Sequence, residues 1–238
     1  MKHVNELASG ILGTTLALAL FTTNAWSQTQ PSSKATAKIG DINVMSQLSV
    51  GTNSSQELVG PWMNILNNSL KTPNQKDLFI TTSLEVGLLT DTLVKSKNGV
   101  TDTSTSTAGV EVRVLVDGVA ALPGKVVFGR RTQTLTAVFQ GLIDGCLTLN
   151  TNTGSIVLDT NCVAPESLQL VLDTMNANSF NFVIADLPAG VHVIQAQARL
   201  NLGAAAMAGS AVARALIGHG SLTVEEVRLI QNEDIELP

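Results

Sequence analysis

The chain has 238 residues, and only 14% of them are Asp, Glu, Lys or Arg, against the usual quarter. It carries a net charge of −5, and no basic cluster exceeds the Arg130–Arg131 pair, so the electrostatic footprint of a nucleic-acid binder is missing. At 44% hydrophobic residues with positive mean hydropathy, it can bury a core and does not read as disordered. There is no Tyr, and aromatics total 3%, which counts against a lectin built on a platform of aromatic rings.

The N-terminus has Lys2 and His3, an apolar stretch over residues 11–21, and then Ala25-Trp26-Ser27. That run is too short to span a bilayer. A basic start, a short apolar centre and small residues in the A-x-A arrangement make residues 1–27 a secretory signal peptide. Export to the periplasm, the cell surface or the medium follows as the expected localisation. Residues 28–40 are polar and read as a flexible N-terminal segment. Residues 41–238 are expected to form a single domain, with no later segment of membrane-spanning length.

The expected elements are mostly strands. Residues 42–50 are the first, followed by a loop through residues 49–60 and apolar segments at 62–70 and 78–89. Asn98-Gly99 and the Ser/Thr-rich run after it read as an exposed loop. Val110, Val112, Val114 and Val116 alternate with Glu111, Arg113, Leu115 and Asp117, placing four valines on one face of a strand that ends at Asp117-Gly118. Residues 125–129 and 133–140 suggest a hairpin turning at Arg130-Arg131, with Leu135, Ala137 and Phe139 inward.

Cys146 and Cys162 are the only cysteines. An even count in an exported chain favours a disulfide. Two thiols without a nearby His do not make a tetrahedral zinc site. Between them, residues 147–149 and 156–158 flank a polar turn, which predicts a stapled hairpin. The same stretch set against an EF-hand loop places Leu149 and Thr160 where Asp and Glu are required. Only weak Ca²⁺ binding through Asp144 or Asp159 is left open, and no metal or other cofactor is expected.

One segment departs from the strand pattern. Leu168, Val171, Leu172 and Met175 fall at i, i+3, i+4 and i+7, and Pro165 and Glu166 suit a helix start, so residues 165–176 are expected to form one short helix. Strands then resume at 180–185, 191–200, 205–217 and 221–229. Ten to twelve short strands and one helix argue an all-β fold, a β-sandwich.

His192 lies on the more apolar side of its strand, with Ile194, Ala196, Ala198 and Leu200. It is expected to be a packed side chain that donates a ring N–H to a backbone carbonyl. His219, between two glycines, is expected in a solvent-facing turn. No Gly-x-Ser-x-Gly elbow, phosphate loop or dinucleotide fingerprint occurs. Glu225 and Glu226, as strand neighbours, point to opposite faces and make a poor acid–base pair. No catalytic residue is assigned.

The C-terminal third, with "LPAGVHVIQAQARL" and "GSLTVEEVRLI", resembles the closing strands of jelly-roll or immunoglobulin-like extracellular sandwiches. The resemblance implies architecture only. The functional expectation is a secreted, non-catalytic protein with a structural or adhesive role at the cell surface or in the matrix. Its expected partners are copies of itself, through exchange of a strand from residues 28–50, or a cell-surface glycan. The alternatives are a glycan-binding module using Trp62 with Asn and Asp side chains at a loop end, and a hydrolase built on His192.

Overall fold

The computed structural model describes residues 35–143 and 145–229. Residues 1–27, expected to be a signal peptide, residues 28–34 of the expected N-terminal segment, and Asp144 lie outside these residues. Eleven strands follow in chain order. They are β1 (Ala35–Val50), β2 (Ser54–Val59), β3 (Met63–Thr72), β4 (Lys76–Ser96), β5 (Thr101–Val116), β6 (Val119–Val138), β7 (Leu147–Asn150), β8 (Ser155–Leu158), β9 (Glu166–Leu187), β10 (Gly190–Ala206) and β11 (Ser210–Val227). Pairing is antiparallel, in the order β1-β11-β4-β9-β6-β5-β10-β2, with β3 also on β10 and β7–β8 separate.

The sheet folds over so that β5 and β10 face β4 and β11. Even-numbered residues of β5 and β10 and alternate residues of β4 and β11 fill the space between. The four valines of β5 are all buried. The core is aliphatic towards Leu78, Ile80, Val114 and Ile194, and turns polar at the other end, where Thr90, Thr92, Asp102, Ser104, Ser106 and Gln133 are buried. Their hydroxyls and carboxylate are satisfied across the layers. Ser104 donates to Leu93 O at 2.7 Å and Ser106 to Val212 O at 2.7 Å. Asp102, which the sequence did not single out, accepts the N–H groups of Lys95 and Ala208 at 2.6 and 2.8 Å.

Asp117-Gly118 (φ 51° and 86°), read as a turn, is a two-residue hairpin turn between the paired strands β5 and β6. Asn98-Gly99 (φ 56° and 69°), read as loop, also has positive φ at both positions, but it joins β4 to β5, which do not pair with each other.

Other expectations change. The predicted helix at residues 165–176 is strand: β9 runs beside β4 for the length of both, from Ser96↔Glu166 to Lys76↔Leu187. Leu168, Leu170 and Leu172 also alternate with period two, and twenty residues of ladder outweigh a short local helical stripe. Residues 35–40, expected flexible, and residues 54–59, expected loop, are strand. The Ser/Thr-rich run belongs to β5, with its threonines outward and Ser104 and Ser106 inward. No turn occurs at Arg130-Arg131, since β6 is continuous there and pairs with β5 throughout.

β6 and β9 share a single backbone rung among the described residues, Leu122↔Val183. The rest of that seam is bridged by side chains. Arg131 donates to Leu88 O and Leu172 O, both at 3.1 Å. Gln133 donates to Leu170 O at 2.7 Å and accepts from Thr90 at 2.8 Å, and Asn178 donates to Phe128 O at 2.7 Å.

Candidate functional site

His192 sits at the start of β10, only 4% exposed. Its Nδ1 lies 2.6 Å from Asp117 Oδ2, and its Nε2 lies 2.9 Å from Pro188 O and 3.1 Å from Thr72 Oγ1. Asp117 Oδ1 accepts the Val193 N–H at 2.8 Å, so one carboxylate ties the β5–β6 turn to β10. Burial pushes the Asp117 carboxyl up, but the bonds from His192 and from the Val193 N–H outweigh that and hold it below the usual aspartate range. A carboxylate, an imidazole and a hydroxyl thus stand in a row, the constellation a hydroxyl nucleophile uses. Here the hydroxyl belongs to Thr72, which is 1% exposed and lies 2.8 Å from Pro188 O, the carbonyl it donates to. The row locks a turn, a strand start and a loop together, and the hydroxyl is shielded from any substrate in solution.

His219 is not in a turn but inside β11, at a register shift that continues into β1 and β4. It is largely exposed, with Glu85 Oε2 2.7 Å from Nδ1 and Asp41 Oδ1 3.3 Å from Nε2. The bond to Glu85 and the charge of Asp41 hold the His219 imidazole above the ordinary histidine range, and the same bond holds Glu85 low. The two carboxylates occupy opposite nitrogens, which leaves no free nitrogen for a metal. Among the described residues no group of three or more His, Cys, Asp or Glu forms a metal cluster.

Cys146 and Cys162 form the expected disulfide, closing the base of the β7–β8 ribbon. Leu147 pairs with Leu158 and Leu149 with Ile156, so these four side chains share one face, and Thr148, Val157, Asn150 and Ser155 share the other. All eight strand residues are exposed, and the apolar four are 43–69% exposed. Asp159 spends one carboxylate oxygen on the Asn161 N–H at 2.9 Å, a local turn.

Trp62 is at no loop end. It lies in the break between β2 and β3, over the outer face of β5 and β10, with the guanidinium carbons of Arg113 and Arg199 at 4.4 and 4.8 Å from its ring centroid. Arg199 donates to Glu111 at 2.5 Å, and Arg113 to Gln197 at 2.8 Å. The ring is therefore engaged by two cations of its own chain.

Beside Trp62 a trough runs along the outer face of β10. One cavity of about 330 Å³ is lined by Glu57, Thr107, Glu111, Arg130, Asn201 and Gly203, among others. A second of about 410 Å³ is lined by Asn53, Ser55, Thr103, Thr105, Ala205 and Met207, among others. Strand register makes them consecutive: Glu57–Gly203–Thr107–Thr132 is one rung across β2, β10, β5 and β6, and Ser55–Ala205–Thr105–Thr134 is the next on that face. Gly203 and Ala205 form the low floor. The threonines of β5 are bonded to those of β6 at 3.1–3.2 Å in three pairs: Thr103–Thr136, Thr105–Thr134 and Thr107–Thr132.

No protein-family model and no curated protein matches the sequence. Solved structures of infectious bursal disease virus are distantly similar. The T13 viral particle is 12% identical over 86% of this chain and 42% of that chain, with a TM-score of 0.20. The Gx strain structure is 9% identical over 82% and 43%, with a TM-score of 0.20. The chain spans less than half the length of those viral chains, and superpositions this loose assign neither its fold nor its function.

Proposed function

We propose that this is an exported, non-catalytic sandwich of jelly-roll or immunoglobulin-like type, with a structural or adhesive role at the cell surface or in the extracellular matrix. The observation that carries this reading is the β7–β8 ribbon. A two-stranded hairpin is marginal in water on its own. This one is stapled by Cys146–Cys162 and, among the described residues, leaves Leu147, Leu149, Ile156 and Leu158 43–69% exposed. An apolar face held out in this way is what association uses. The disulfide suits an oxidising compartment outside the cytosol. A non-catalytic role is supported by His192 and Thr72, whose polar atoms are spent on Asp117 and Pro188 O in a buried setting.

Donation of residues 28–50 to another copy becomes a weaker version of this role. Within the chain, β1 already pairs with β11 from Ala35↔Glu225 to Val50↔Ala211, and Ile42, Val44 and Leu48 pack against the core.

Sedimentation velocity on the oxidised chain from residue 28 tests the role. Concentration-dependent association is expected, and the double variant Leu149→Ser, Ile156→Ser should shift it to monomer while its melting curve stays put. A wild type that remains monomeric, and that also ignores cell envelopes and matrix polysaccharide, would overturn the proposal.

A further inference from the structure

We infer that the trough along β10 is a binding site for an extended, uncharged polyhydroxylated chain, an oligosaccharide. This deepens the adhesive reading above by supplying its ligand, and it rests on that reading.

The first argument is shape. The lining residues Asn201, Gly203 and Ala205 follow one another every second residue on one face of β10, and Met207 lies just past its end. At about 3.3 Å per residue of extended chain, six steps give a length of about 20 Å. That suits several linked rings rather than one small molecule. The floor is low because Gly203 and Ala205 have little or no side chain, while β2 on one side and β5 on the other raise the walls.

The second argument is the chemistry of the walls. Each Thr–Thr pair uses one hydroxyl proton internally and leaves the other proton and several lone pairs for a ligand. The cross-strand bond also fixes each hydroxyl's direction before anything binds, which lowers the ordering cost of association. Ser55 and Asn53 add donors and acceptors from the opposite wall.

The third argument concerns charge. Glu111 is neutralised by Arg199 and approached by Lys125 at 3.9 Å. Glu57 and Arg130 then stand on opposite walls, one of each sign. A trough with no net excess disfavours polyanions and polycations alike. A peptide is disfavoured for another reason. β10 is hydrogen-bonded on both sides, so no backbone edge is open for strand addition along the floor. What the trough offers is side-chain hydroxyls and amides at regular spacing, which is what sugar hydroxyls bond to. Trp62, engaged by Arg113 and Arg199 of its own chain, is not counted as a stacking platform.

The test is titration calorimetry of the oxidised chain from residue 28 with neutral cello-, xylo-, manno- and chito-hexaoses, and with oligogalacturonate as the charged control. Saturable binding is expected for at least one neutral hexaose and none for oligogalacturonate. Gly203→Val should weaken binding at least tenfold by filling the floor. A Cβ at Gly203 meets Thr107 and Glu57 only at 3.6 and 3.9 Å, ordinary van der Waals contact, and a melting curve of the variant checks that it folds. Thr105→Val, which removes one wall hydroxyl and keeps the shape, should weaken binding several-fold, and Trp62→Leu less than either. No saturable binding to any neutral hexaose, or binding that Gly203→Val and Thr105→Val leave unchanged, overturns the site. Both trough variants should keep the self-association of wild type. Wild-type protein that associates but binds no neutral hexaose therefore counts against the trough alone, and wild-type protein that binds a hexaose but stays monomeric counts against the ribbon alone.

Discussion

Replacing His192 by Ala tests the claim that this imidazole holds structure together. The ring is 4% exposed and joins Asp117 in the β5–β6 turn to Pro188 O and Thr72. A hydrogen bond to a charged partner contributes about 1.5–3 kcal/mol, and each buried polar group left unpaired costs about 1–3 kcal/mol. Asp117 is half-exposed and recovers water, so its share falls at the low end. Pro188 O keeps the Thr72 hydroxyl. The remaining loss, with the cavity left by the ring, comes to about 3 kcal/mol. Asp117→Asn provides the contrast. Asn tolerates the positive φ at this position and keeps an oxygen for the Val193 N–H, while its NH2 now faces His192 Nδ1, so the charge and the acceptor toward His192 are lost, about 1 kcal/mol in this half-exposed setting. Urea unfolding reads both as a fall in midpoint at constant slope. A His192→Ala variant within 0.5 kcal/mol of wild type would refute the reasoning. So would an Asp117→Asn variant that loses as much as His192→Ala. The sign of the acid dependence follows from the lowered Asp117 pKa. Its contribution is present above the ordinary aspartate range and is lost as pH falls through the folded value, so Asp117→Asn should flatten the acid limb of stability against pH.

Three other outcomes are expected. The His219 imidazole should titrate above the ordinary histidine range by NMR, and Glu85→Gln should bring it down; because its folded pKa is raised, its tie between β1, β11 and β4 is present at low pH and lost as pH rises through the folded value, and an unshifted titration would contradict this. Gly209→Ala should fail to fold or lose more than about 3 kcal/mol on thermal melting, because the added Cβ would lie 1.7 Å from Leu93 O, a backbone atom that cannot step aside. Gln133→Leu should cost about 2–4 kcal/mol in urea melts by stranding Thr90, Thr92 and Leu170 O in the β6–β9 seam, whereas Gln169→Leu, which removes an exposed bond from β9 to Asp91 on β4, should change stability by under about 0.5 kcal/mol.

The sequence alone determined features that are settled within a few residues of chain. The period-two valines of β5 bury one face because alternation is a property of the extended backbone itself. Asp117-Gly118 turns because those residues accept positive φ. The Cys146–Cys162 ribbon and the packed His192, bonded to a backbone carbonyl, were legible in the same way.

The tertiary structure decided whatever depends on a distant partner. Residues 165–176 carry both a helical stripe and an alternation, and only β4, some eighty residues earlier, selects strand. The threonines after Asn98 look like loop until β6 pairs with them, and His219 looks like a turn until β1 and β4 flank it. The trough is assembled from β2, β5, β6 and β10, whose residues share a rung without being near one another in sequence. Backbone hydrogen bonds between strands carry no sequence code of their own, so which strand lies beside which is set by burying all the alternating faces at once, a condition that no local stretch contains.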